Sequence, residues 1–308
     1  MYRIIINKLD DNKPAIAAIG NFDGLHKGHL ELIKEMNQQA RLHNYKRLVI
    51  VFEPLPLEYF FDQLNRPRLT RLSLLRDKFL ILKKIDYADE LIVLRFNKKT
   101  ANLSPKQFIE NILKFQLNVT EVVVGDDFKF GKNGLGRSQD FKDANVKPIT
   151  INKYLINNQR VSSSIIREYA KINDLSRVGK YLGRNLQYTS RVIYGNQLGR
   201  KYGVPTINLC LGHNVPALWG IYIAFVYIDG IRYNAVASIG KNPTVTNQEK
   251  YKLEAHLLDI DMDLYGKIAT VEILEFMREE KKFADFNTMF EQIYADLELG
   301  RNYFKNIK

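Results

Sequence analysis

The feature that most limits the fold is an alternation in the first half of the chain. Four short, almost uninterrupted apolar runs, "AIAAI" (15–19), "RLVIVF" (47–52), "ELIVL" (90–94) and "EVVVG" (121–125), are separated by segments of helical spacing near 27–43, 72–84 and 104–116. A strand that is apolar along its whole length must be covered on both faces, which a parallel sheet between two helical layers provides. The expected class is therefore α/β, and such sheets take ligands beyond the carboxyl ends of their strands. Ser104 and Pro105 form an N-cap and first-turn pair for the last of these helices.

From about Gln187 the texture changes. "LQYTSRVIYG", "GIYIAFVYIDGIRYNAVASIG", "YKLEAHLLDI" and "GKIATVEILEFM" are β-type runs punctuated by turn residues, and Asp229-Gly230 signals a two-residue hairpin within 228–232. This half is expected to form an antiparallel β-barrel or sandwich. An amphipathic helix over roughly 285–304 closes it, with Phe286, Met289, Phe290, Ile293, Leu297 and Tyr303 near one face. The segment "SSSIIREYAKINDLSRVGKYLGR" (162–184) reads as serine-capped connector helices. A chain of 308 residues exceeds the usual single domain, so two are expected, 1–183 and 184–308.

Hydrophobic residues at 45% and charged residues at 26% exclude a disordered chain. No apolar run is long enough to span a bilayer, and Asp10, Asp11, Lys13 and Pro14 break up the N-terminus where a leader would lie. A cytoplasmic location without membrane association is expected. The single cysteine, Cys210, excludes an internal disulfide and a cysteine-rich metal site, and reads as a small core hydrophobe. The net charge of +12 suits a polyanion or a merely basic surface. Lys and Arg are scattered without a basic run or basic-aromatic interleaving, so a specific nucleic-acid partner is not expected; phosphorylated small molecules suit the charge equally.

If 15–19 is a strand and 27–43 a helix, Gly20 to His26 form the turn at the strand's carboxyl end and His29 falls in the helix's first turn. That turn offers unpaired N–H groups and positive dipole potential, which suit a phosphate. Imidazoles there can donate to phosphate oxygens and to charge developing during phosphoryl or nucleotidyl transfer, while Gly28 would let a substrate approach the backbone. On residues alone, His-x-Gly-His is a weak signal and more often marks two ordinary helix-start histidines, and "SSSIIR" (162–167) reads as helix capping by serine.

Taken in order, the two motifs resemble the nucleotidyltransferase superfamily with the HxGH signature, whose second signature is an ISSTxIR segment. The resemblance implies that His26 and His29 stabilise a triphosphate. It further implies that Gly20, Asn21, Phe22, Asp23 and Gly28 line the ATP site, and that Ser163, Ser164 and Arg167 hold the leaving pyrophosphate. "VFEPLPLEYF" (51–60), "RLTRLSLLRDKF" (68–79) and "VVVGDDFKFGK" (123–132) extend the likeness to the bacterial bifunctional riboflavin kinase/FMN adenylyltransferases, the FAD synthetases. In the second half, "GNQLGRKYGVPTINL" (195–209), "IGKNPTV" (239–245) and "KLEAHLLDIDMDLYGK" (252–267) are similar to flavokinase segments.

That family implies phosphorylation of riboflavin to FMN by the second domain and adenylylation of FMN to FAD by the first. By correspondence, Thr206 and Asn208 would ligate Mg²⁺, with ATP as co-substrate, and Gly195, Gly199 and Gly203 would wrap the ATP phosphates. Glu254 would be the general base, with His256 on the same strand face in a structural or substrate-lining role. Asp127 and Phe128 of "GDDF" would contact flavin, although this stretch also reads as a plain turn. Riboflavin, FMN, FAD and ATP are the implied partners; oligomeric state is left open. Three departures stand out: Ile207 where the family usually has alanine, an irregular "FGKNGLGRSQDF", and a third serine in place of threonine in "SSS". The alternative is a riboflavin kinase with a weakly active or regulatory first domain, and charge alone suggests a nucleic-acid-binding protein.

Overall fold

The computed structural model describes residues 2–4, 13–195, 202–242, 250–260 and 262–307. The chain forms two compact units, one built from residues 1–69 with 78–162 and the other from 70–77 with 163–308.

In the first unit, β1 (Tyr2–Ile4), β2 (Ala15–Ile19), β3 (Lys46–Glu53), β5 (Glu90–Arg95), β6 (Val119–Gly125) and β7 (Lys147–Ile151) make one sheet in the order β1-β5-β3-β2-β6-β7. The short β4 (Thr70–Arg71) belongs to the other unit. Every pairing in the six-stranded sheet is parallel. All five residues of β2 are buried, as the uninterrupted apolar run requires. Each buried aliphatic side chain of this layer stabilises by about 1.5–3 kcal/mol, and a charge at Ala17 would place an unpaired ion between the layers. The edge strands β1 and β7 complete the sheet beyond the four expected runs.

The helices are α1 (Lys27–His43), α2 (Pro56–Gln63), α3 (Leu75–Ile85), α4 (Lys98–Ala101), α5 (Pro105–Gln107) and α6 (Ser138–Asp143). Ser104 caps α5 as expected, its side chain accepting from Gln107 N while Gln107 reaches back to Ser104 N. Beyond it the chain widens into a π-helix over Phe108–Gln116, where an α-helix was expected. The wider turn suits apolar residues five apart: Phe108, Ile109 and Leu113 are all buried in the core under the sheet.

The second unit holds α7 (Ser163–Lys171), α8 (Leu175–Leu182) and a closed barrel. Its strands are β10 (Gln187–Ile193), β11 (Ile207–Cys210), β13 (Gly220–Ile228), β14 (Ile231–Asn242), β15 (Lys250–Leu257) and β16 (Ile268–Arg278), in the order β10-β11-β15-β14-β13-β16. Two minor pairs complete the set: β8 (Leu155–Ile156) with β9 (Gln159–Arg160) in the first unit, and β12 (Val215–Pro216) with β4 in the second. All barrel pairings are antiparallel, and Asp229 and Gly230, at φ 51° and 81°, make the two-residue turn between β13 and β14. Helix α9 (Phe286–Asn306) lies on the barrel, where Gly300 admits β14 so closely that a Cβ would collide with Val236. Arg278 clasps Asp296 of that helix through Nε and Nη2.

Three expectations need correction. Helix α8 is capped by Asp174, not by serine. Phe286 stands 57% exposed at the start of α9, because Phe290 and Leu297, with Met289 and Ile293, already fill the seam against the barrel. Cys210 is exposed because Ile207 and Leu209 take the inward positions of β11 and leave Asn208 and Cys210 facing out.

Candidate active sites

In the sheet order of the first unit, the chain moves from β2 through β3 to β5 on one side, and through β6 to β7 on the other. The direction reverses between β2 and β6, so a crevice is expected beyond the carboxyl ends of these two strands. The two turns that follow them carry seven of the candidate residues for adenylyl transfer, Gly20, Asn21, Phe22, Asp23 and His26 after β2 and Asp127 and Phe128 after β6.

The turn after β2 is tightly determined. Phe22 and Leu25 are buried non-glycine residues held at φ 47° and 42°, with Gly24 at 80° between them. Such left-handed residues cost about 1–3 kcal/mol each and persist only where the surroundings impose them. Asp23 is buried as well. His26 is the N-cap of α1, its Nδ1 accepting from His29 N at 3.2 Å. An accepting Nδ1 needs its lone pair, so this ring carries its proton on Nε2, where it can donate to an anion. The two imidazoles stack with centroids 3.5 Å apart and planes 14° from parallel, and Phe22 meets the edge of His29 at 5.1 Å. The sequence expectation for Gly28 was substrate access; here a Cβ at that position would lie 3.3 Å from both the His26 ring and Tyr154. Gly20 likewise leaves room for the Phe22 ring.

In the turn after β6, Asp127 pairs with Arg160 of β9 at 2.6 Å. Phe128 stacks on Phe130 at 5.8 Å, against the core under the sheet. Ser163, Ser164 and Arg167 lie together on α7 of the second unit, where Arg167 Nε donates to Thr70 O at 2.6 Å.

The barrel pairs two of the kinase candidates on its outer face. Asn208 of β11 lies directly opposite Glu254 of β15, which lies opposite Ser238 of β14. Thr206 precedes β11 by one residue, two before Asn208. Ile207 points inward opposite Ala255, so its extra bulk over alanine is taken up by the barrel core rather than by the site. Gly195 approaches the Asn208 amide so closely that a Cβ would overlap it, while Gly203 adopts a left-handed φ of 71°. Gly199 and most of the "KNPTV" element lie outside the described residues. His256 is tied to the loop before β11, Nδ1 donating to Pro205 O at 2.7 Å, and burial holds this imidazole below its usual range.

Three neighbours of Glu254 were not foreseen. Lys252 Nζ lies 3.5 Å from its carboxylate. Ser238 Oγ donates to Glu280 at 3.3 Å, and Glu280 is pushed up mainly by burial and further by the charge of Glu254. Glu280 sits in the charged run "REEKK", whose local pattern reads as a solvated stretch. Among the described residues, no group of three or more His, Cys, Asp or Glu could hold a metal. Thr206 and Asn208 offer oxygen donors, the chemistry that suits a hard cation completing its shell with water and nucleotide phosphates.

The chain matches the FAD synthetase family model over residues 8–165 and the riboflavin kinase model over residues 182–304. It is similar to the bifunctional riboflavin kinase/FMN adenylyltransferase of Haemophilus influenzae, with 36% identity over 94% of each chain. The enzyme of the same name from Buchnera aphidicola of Schizaphis graminum is 33% identical over 100% of this chain and 99% of the other. A crystal structure from Streptococcus pneumoniae, described as a macrolide-efflux protein, is 28% identical with a TM-score of 0.77, covering 98% of this chain and 99% of that one. Among the described residues, no helix is long and apolar enough to cross a membrane.

Proposed function

The chain belongs to the bifunctional riboflavin kinase/FMN adenylyltransferase family, which converts riboflavin to FMN and FMN to FAD, and from that premise we propose the residues that carry each step. Two family models matched in succession do not favour a kinase whose first domain only regulates. We assign adenylyl transfer to residues 1–183 and phosphorylation to 184–308. ATP serves both, and a cytoplasmic location suits these substrates.

In adenylyl transfer, an FMN phosphate oxygen attacks the α-phosphorus of ATP. The bond from that phosphorus to the bridging oxygen breaks, and pyrophosphate leaves. No protein nucleophile is needed. His26 donates through Nε2–H, and with His29 it meets charge developing on the triphosphate. Gly20, Asn21, Phe22, Asp23 and Gly28 shape the turn that receives the nucleotide, Ser163, Ser164 and Arg167 bind pyrophosphate oxygens, and Asp127 and Phe128 meet the flavin. The observation that carries this reading is the pair of stacked imidazoles at a helix start beside the reversal of strand order.

In the kinase step, the ribityl 5′-hydroxyl oxygen attacks the γ-phosphorus, ADP leaves and Glu254 accepts the hydroxyl proton. Asn208 and Thr206 would hold Mg²⁺, which when bound neutralises phosphate charge. The cross-strand placement of Asn208 against Glu254 supports this division of labour, since the proposed base and the proposed metal ligand occupy paired positions. Gly195, Gly199 and Gly203 are assigned to the loop that wraps the ATP phosphates.

Product separation after incubation with riboflavin and ATP tests the whole reading. The full chain should form FMN first and FAD second. Riboflavin left unchanged, or FMN that never proceeds to FAD, would overturn it.

A further inference from the structure

We infer that Lys78 is a positioning residue for adenylyl transfer, its buried ammonium holding the Asn21 carbonyl and with it the strained turn that presents His26 and His29. This rests on the reading of that turn as the nucleotide site. Lys78 has no exposed surface, and its Nζ donates to Asn21 O at 2.8 Å across 57 residues of sequence. Burying an ammonium is costly, so a lysine is kept inside a protein only where its charge or its donors have a definite use.

The place of Lys78 on its helix makes the cost greater. It lies in the first turn of α3, where unpaired N–H groups already make the helix end positive and disfavour a second cation. Forming α3 therefore does not account for a lysine here. The turn beyond it does. Asn21 immediately precedes Phe22, the first of the left-handed residues, so the peptide that Lys78 grips sets the entry to the strained segment. The hydrogen bond from His29 N to His26 Nδ1 closes the exit.

The test uses the full chain and adenylyl transfer to supplied FMN. Lys78→Met keeps the apolar stem and removes charge and donor; kcat should fall about tenfold to a hundredfold, as expected when reacting groups shift slightly, with a much smaller change in KM for ATP. Lys78→Arg, which keeps both charge and donor, should recover most of the loss. A purely structural strut would instead lower Tm and leave kcat of the folded enzyme unchanged, which would overturn the proposal. If the Met variant does not fold, the same constants are read on Lys78→Gln, and unfolding of both would also overturn it. His29→Ala measured alongside separates the two readings. Unchanged FAD formation there removes the nucleotide-site reading itself, whereas loss there with normal kcat in Lys78→Met removes only the role of Lys78.

Discussion

Glu254 stands directly opposite Asn208 where β15 pairs with β11, so the carboxylate proposed as base and the amide proposed for the phosphate–metal end share one face of the barrel. Glu254→Gln keeps the side chain's size but cannot take a proton. FMN formation should fall by about 10²–10⁴-fold, the usual worth of general base catalysis. FAD formation from supplied FMN should persist. Both rates are read by separating the flavins; kinase activity at the wild-type level would remove Glu254 from the mechanism.

The reciprocal change is His29→Ala. Deleting a donor aimed at transition-state charge commonly costs about 10²–10³-fold in rate, and FAD formation should drop accordingly while FMN still accumulates from riboflavin. Loss of both activities would point to a folding defect, and loss of neither would return the pair to ordinary helix-start histidines.

Asp77 predicts a pH dependence of stability. Its carboxyl is fully buried and pushed up to about 7 by that burial, against hydrogen bonds from Thr189 and Leu74 and the charge of Arg184. The folded chain therefore holds this proton more tightly than the unfolded one. Its favourable contribution is complete below the ordinary value of 3.8 and is lost as pH rises through about 7. Asp77→Asn cannot ionise, so Tm should fall less between about pH 5 and about pH 8 than in the wild type, by a few degrees at ~2–4 °C per kcal/mol. Melts at the two pH values decide it, and parallel slopes would count against the assignment.

The segment 70–77 is built into the barrel unit. Thr70 and Arg71 pair with Val215 and Pro216, and Arg71 O accepts from Tyr188 Oη and Ala217 N, each at 3.1 Å. A fragment 184–308 keeps Thr206, Asn208 and Glu254 and should phosphorylate riboflavin, yet it leaves these donors without their partner. It should melt several degrees below the barrel transition of the full chain, and a peptide spanning 68–79 should raise its Tm with concentration, as any ligand of the native state does. A fragment as stable as the full chain and indifferent to the peptide would show the segment to be dispensable.

Local spacing was sufficient for much of the first unit. Ala15–Ile19 and Lys27–His43 have the bounds their periodicity predicts, because an apolar run and a helical stripe each state which faces must be buried. The Asp229-Gly230 turn was equally legible, since few residues accept two successive left-handed conformations. His26 and His29 were readable as a pair because one helical turn brings them together.

Sequence by itself thus determined the strand–turn–helix that holds the histidines, the change from parallel sheet to antiparallel strands, and the family. It could not state which strands become neighbours, because a period of two names a face and not a partner. Pairing of Asn208 with Glu254 and Ser238, and the arrival of Glu280 beside them, follow from barrel closure, in which every backbone group of a strand must find a bond in the next. The outward turn of Cys210 follows from the same closure, since Leu209 claims the interior. Lys78 and the segment before it were hidden for a related reason. Helical periodicity marks Lys78 as polar and Asp77 as a first-turn acid, and only long-range packing buries one under Asn21 and the other in the barrel unit.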